Sequence, residues 1–81
     1  MVRVLFLGRL RDVAGASELE LDDAVRSIDD LLSAITLSRP ELGDALASPG
    51  IRIAVDHTIV RGNVALAASS EVAFLPPLSG G

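Results

Sequence analysis

The first and last regular segments of this chain are strands in which every second residue is apolar, and a single long helical stripe lies between them. In VRVLFL (residues 2–7) Val2, Val4 and Phe6 share one face, while Arg3, Leu5 and Leu7 share the other. In EVAFL (71–75) Val72 and Phe74 read as inward, and Glu71, Ala73 and Leu75 as outward. Residues 17–21 (SELEL) alternate again and can pair antiparallel with the first strand across the short RLRDVA connection. Ser27 then suits a helix N-cap, with Asp29 and Asp30 complementing the dipole, and Ile28, Leu31, Leu32 and Ile35 fall at i, i+3, i+4 and i+7. Pro40 ends that helix, and ELGDAL (41–46) adds one more helical turn. IRIAV (51–55) and TIV (58–60) flank Asp56–His57, a hairpin tip, and residues 61–69 read as loop. The order β-β-α-β-β-β implies an α+β roll, a mixed sheet over one main helix. It fills residues 1–75 and leaves 76–81 as a tail.

Size and composition limit what such a roll can do. At 81 residues it is one domain, with 49% hydrophobic residues and a mean hydropathy of +0.48, enough for a packed core. Cysteine is absent, which excludes disulfides, thiolate metal sites and thiol nucleophiles. A net charge of −4 and only two aromatic residues, Phe6 and Phe74, argue against nucleic acid or an anionic membrane as partner. No apolar run reaches the ~18 residues of a membrane span, and the start lacks a secretory cleavage site, so a soluble, cytoplasmic protein is expected. All seven basic residues are Arg, which codon usage explains as readily as function.

The side chains offer little chemistry. His57 is the only histidine and serves a turn; the pairs Asp22–Asp23 and Asp29–Asp30 suit a helix start better than acid–base work; no base stands near Ser69, Ser70 or Ser79 in sequence. Two features stand out instead. If the first and last strands are neighbours, Leu5, Leu7, Ala73 and Leu75 form one outward apolar patch rimmed by Arg3, Arg11 and Glu71, the pattern of a protein interface. After Glu71 no side chain is charged, and Pro76–Pro77 sends the chain out of the sheet in extended form. Pro76, Pro77, Leu78, Ser79, Gly80 and Gly81 span up to about 20 Å. A Gly–Gly terminus lacks Cβ atoms and threads a narrow channel. Its ionised α-carboxylate can attack the α-phosphate of ATP to give an acyl-adenylate, open to a sulfur donor or an amine.

MVRVLFLGRLRDVAG, AVDHTIV and EVAFLPPLSGG together resemble the sulfur-carrying small subunits of molybdopterin synthase, within the ubiquitin-like β-grasp proteins. The most specific element is the F-x-P-P-x-S/T-G-G tail, here Phe74, Pro76, Pro77, Ser79, Gly80 and Gly81. The resemblance implies that Gly81 is adenylated by an ATP-dependent, ubiquitin-activating-like adenylyltransferase and becomes a thiocarboxylate, with no cofactor bound by the chain itself. The tail then enters a large catalytic subunit, in a 2+2 heterotetramer, and donates sulfur to a cyclic pyranopterin precursor. Leu7, Arg11, Ile59 and Leu75 match family interface positions, with Leu5 and Phe74 beside them. Two departures are visible: Ala68–Ser69–Ser70 stands where the family carries Gly-Asp, and Asp56 where it carries Asn, a change expected to touch only the turn. Carriers for thiamine or cysteine synthesis, a protein modifier conjugated through Gly81, and a plain interaction domain remain alternatives. The absence of lysine forbids side-chain-linked chains of the protein with itself.

Overall fold

The computed structural model describes residues 1–77. Strand β1 (Val2–Phe6) leads through a short helix α1 (Leu10–Ala14) into β2 (Glu18–Leu21). Helices α2 (Ile28–Ser38) and α3 (Pro40–Leu46) follow, then β3 (Arg52–Val55), β4 (Thr58–Val60) and β5 (Glu71–Leu75). The five strands form one sheet in the order β2-β1-β5-β3-β4, with β1 and β5 parallel and the other neighbours antiparallel. This is a β-grasp roll, as the order of the segments implies.

The alternation read in β1 and β5 is the alternation of burial. Val2, Val4, Val72 and Phe74 are fully buried, and Phe6 nearly so. Phe6 and Phe74 lie opposite each other in the parallel register, their rings stacked with centroids 6.1 Å apart. Ile28, Leu31 and Ile35 of α2, Leu42 and Leu46 of α3, and Leu10 and Ala14 of α1 join the core on that side of the sheet, with Val25 and Leu66. Leu32, the fourth member of the helical stripe, packs half-buried at its margin.

Local chemistry explains where α2 starts and stops. Ser27 is extended (φ −155°, ψ 168°) and its Oγ accepts the Asp30 N–H at 3.1 Å, leaving one fewer orphan donor. Asp30 reaches back to accept the Arg26 N–H at 3.0 Å. The segment 63–66, expected as loop, is tied across this same end. Asn63 Oδ1 accepts the Asp29 N–H, Val64 O accepts the Ile28 N–H, and Leu66 N–H donates to Arg26 O. Pro40 pushes Arg39 into an extended conformation and then supplies the first residue of α3. Arg39 Nη2 donates to Val13 O at 3.0 Å and Nη1 to Ala14 O, which closes the carbonyl end of α1 onto the α2–α3 junction. The expected extra turn is thus a seven-residue helix. Gly43 lets it approach α2, since a Cβ there would stand 2.9 Å from Thr36 Cβ and 3.1 Å from Thr36 Cα.

Both departures from the family pattern have a structural account. Ser70 is buried; its Oγ accepts the Ala67 N–H at 2.9 Å, its N–H donates to Ala67 O, and its carbonyl accepts the Arg3 N–H. A serine-closed turn therefore delivers the chain to β5. Asp56 and His57 adopt φ of 48° and 71°, the left-handed pair that a two-residue hairpin requires. Asp56 does more than turn the chain, because its Oδ1 accepts the Glu71 N–H and its own N–H donates to Glu71 O.

Candidate functional site

The helices cover one face of the sheet; the candidate site is the other face and the chain that leaves it. Cross-strand register fixes which outward residues meet. Glu18 lies opposite Leu5, Leu5 opposite Ala73, Ala73 opposite Ala54, and Ala54 opposite Ile59, so one row crosses all five strands. Its centre holds two alanines, which present nothing beyond Cβ and keep the face flat. Leu5, Ala73 and Ala54 are half-buried by their neighbours, whereas Ile59 is 49% exposed and Leu7, just past β1, is 40% exposed. Leu75 lies opposite Arg52 one row nearer the chain exit.

The face is graded along the strands. At the start of β1 and β5 it is charged: Arg3 Nε and Nη2 each donate to Glu18 at 3.2 Å, and Arg3 Nη1 stands 3.6 Å from Glu71. The hydrogen bond and charge of Glu18 raise the Arg3 pKa further above its ordinary value. Glu71 also meets His57 Nε2 at 3.3 Å. At the opposite end Leu7 and Leu75 lead to Pro76 and Pro77, both half-buried, and the charges there are single exposed arginines, Arg52 opposite Leu75 and Arg11 beside Leu7. Leu5, Phe6, Leu7, Gly8, Arg11 and Ser17 line a shallow depression of about 470 Å³ there. A second depression, about 320 Å³, opens between β3 and β4 beside Gly50, Arg52, Ile59 and Arg61.

Of the residues singled out in the sequence, Leu5, Leu7, Ile59 and Leu75 lie on this face, and exposed Arg11 lines the depression at its apolar end. Phe74 does not. It is fully buried against Phe6, because position 74 points inward in the period-two pattern, so it is a core residue rather than part of an interface. Leu78, Ser79, Gly80 and Gly81 lie outside the described residues. Sequence reasoning misses three contributors: Ala54, which links β5 to Ile59, and Gly8 and Gly50, where an added Cβ would meet the prolines. The alternation Arg52–Ala54 on β3 is the signal that could have revealed the first; only three-dimensional proximity reveals the glycines.

Among the described residues no group of three or more His, Asp or Glu side chains is placed to hold a metal ion, and no helix is long and apolar enough to cross a membrane. Ser70 is the one buried polar side chain among them, and its hydroxyl is committed to a turn. What the geometry offers is a flat apolar face leading to an exiting strand.

That arrangement has close counterparts. The ThiS family profile matches residues 4–81, nearly the whole chain. The chain belongs to the ThiS family. The molybdopterin synthase sulfur carrier subunit of Chlamydomonas reinhardtii is 33% identical over 82 residues, covering 99% of this chain and 98% of that protein. The subunit of the same name from Escherichia coli is 28% identical and matched over the full length of both. Small archaeal modifier protein 1 from Haloferax volcanii superposes with a TM-score of 0.83 at 25% identity, covering 99% of this chain and 98% of the other. Its counterpart from Methanosarcina acetivorans gives 0.84 at 27%, covering 99% and 95%.

Proposed function

We propose that this ThiS-family chain is the sulfur-carrier subunit of a molybdopterin synthase, acting in the cytoplasm through the α-carboxyl of Gly81. A carboxylate oxygen attacks the α-phosphate of ATP on a ubiquitin-activating-like adenylyltransferase, pyrophosphate leaves, and a sulfur donor then displaces AMP to give the thiocarboxylate. The outer sheet face docks on a large catalytic subunit, in a 2+2 assembly, while the tail presents its sulfur to a cyclic pyranopterin precursor. The chain contributes no catalytic side chain and binds no cofactor; it carries an atom.

The observation that carries this reading is the continuity of the uncovered apolar row with the Pro76–Pro77 root. Leu5, Ala73 and Ala54 lie on the strands that flank and include β5, so a partner on this row sits beside the point where the chain leaves β5. Apolar area of this kind, with Arg3, Arg11 and Glu71 at its margins, gains free energy on burial at roughly 25 cal/mol per Å². The names of the two full-length relatives support the pathway. The likeness to the archaeal modifier proteins favours a second reading, in which Gly81 is joined to lysines of other proteins. Intact-mass analysis of the protein from its native host separates the two. The carrier reading expects a population with one oxygen replaced by sulfur; adducts on target lysines with no such population would establish the modifier instead.

A further inference from the structure

We propose that Gly8 and Gly50 form a two-sided clasp that seats Pro76 and Pro77 and so aims the tail, a positioning role that rests on the sulfur-carrier reading. The sheet topology brings them together. Because β1 and β5 are parallel, the residues after β1 emerge where β5 ends; because β3 is antiparallel to β5, the residues before β3 arrive at the same edge. Gly8 and Gly50 occupy those two approaches, with φ of +56° and +89°.

Each glycine meets one proline. A Cβ on Gly8 would lie 3.0 Å from Pro76 Cγ; a Cβ on Gly50 would lie 3.0 Å from Pro77 Cβ and 3.3 Å from its Cγ. Gly15 and Gly62 have similar positive φ of 75° and 74°, but a Cβ there meets nothing within 4 Å. Turn conformation alone accounts for those two. At Gly8 and Gly50 the missing side chain also makes room for a ring. Proline fixes its own φ, and consecutive prolines form a stiff extended rod, so seating two rings sets where the chain leaves the body and the direction in which Pro77 points it. A tail already aimed loses less conformational freedom on entering a channel.

The test uses the full chain with its activating enzyme, measuring thiocarboxylate formation as the concentration of the chain is varied. Gly8→Ala and Gly50→Ala are compared with Gly15→Ala and Gly62→Ala, which share the backbone strain and lack the contact. We expect each clasp variant to raise KM on the order of fivefold, the freedom of about one released backbone residue, with kcat unchanged. The two control variants should leave KM unchanged. Pro76→Ala, which removes the ring that faces Gly8, should raise KM similarly, and Gly8→Ala should add nothing to it. NOE cross-peaks between Gly8 Hα and Pro76 Hγ, and between Gly50 Hα and Pro77 Hβ, should appear in the free protein. Clasp variants that match the control variants in KM, or the absence of both cross-peaks, overturn the clasp. Failure of the carrier reading is seen separately, as wild-type protein that never acquires sulfur, and the cross-peaks then still decide whether the glycines seat the prolines.

Discussion

Ala73 sits at the centre of the outward row, with Leu5 on one side and Ala54 on the other, and neither of these carries charge. Ala73→Glu therefore places a carboxylate in the middle of the proposed docking face. Of the two guanidiniums on this face nearest to it, Arg3 is already engaged by Glu18 and Glu71, and Arg52 stands one row away opposite Leu75. Leaving an uncompensated charge in a desolvated interface costs about 3–5 kcal/mol. The protruding side chain adds a steric cost of about 1–3 kcal/mol that Ala73→Gln would share. At 1.4 kcal/mol per tenfold, the Glu variant should bind the large subunit at least ~100-fold more weakly, and the Gln variant roughly tenfold more weakly. The fold should survive, since the new side chain points to solvent in the free protein and strand propensities span only ~1 kcal/mol. Titration calorimetry with the large subunit, beside a thermal melt of each variant, measures both quantities. A Glu variant with a normal melt and wild-type affinity would refute the assignment of this face.

Particular contacts set further expectations. Leu75→Glu should weaken docking less than Ala73→Glu, because Arg52 lies directly opposite and supplies a counter-charge; removing it in Leu75→Glu/Arg52→Ala should restore the larger loss, by the same calorimetry. Phe74→Ala should lower unfolding free energy by about 3–5 kcal/mol in denaturant titrations, as expected of a stacked core ring. Gly43→Ala should cost about 1–3 kcal/mol despite alanine's better helix propensity, because the Thr36 side chain leaves no room; a stabilised variant would contradict the packing described.

The elements most legible in the sequence are those whose burial has a simple period. Val2, Val4 and Phe6 against Arg3 and Leu5, and Val72 and Phe74 against Glu71 and Ala73, announce both the strands and their inner faces. Ser27 with Asp30 announces the start of α2. The parallel pairing of β1 with β5 is only a supposition at that level, since no local pattern states which strands are neighbours. Phe74 shows how a motif can mislead: it belongs to the tail signature by spacing, yet its parity places it in the core. The sequence understates the length of α3 because Pro40 both ends one helix and begins the next. The clasp is invisible there, because Gly8 and Gly50 are far apart in sequence and meet the prolines only after the sheet is assembled. The chemistry proposed for the tail rests on residue order alone, since residues 78–81 lie outside those the structure describes.

The central claim concerns the main-chain carboxyl of Gly81, and appending one alanine after it tests that claim most directly. In a reconstituted system with activating enzyme, ATP, a sulfur source and the large subunit, the extended protein should fold and dock as before yet yield no sulfurated product. Product at the wild-type rate from a chain whose added alanine is verified intact by mass at the end of the reaction would contradict the account.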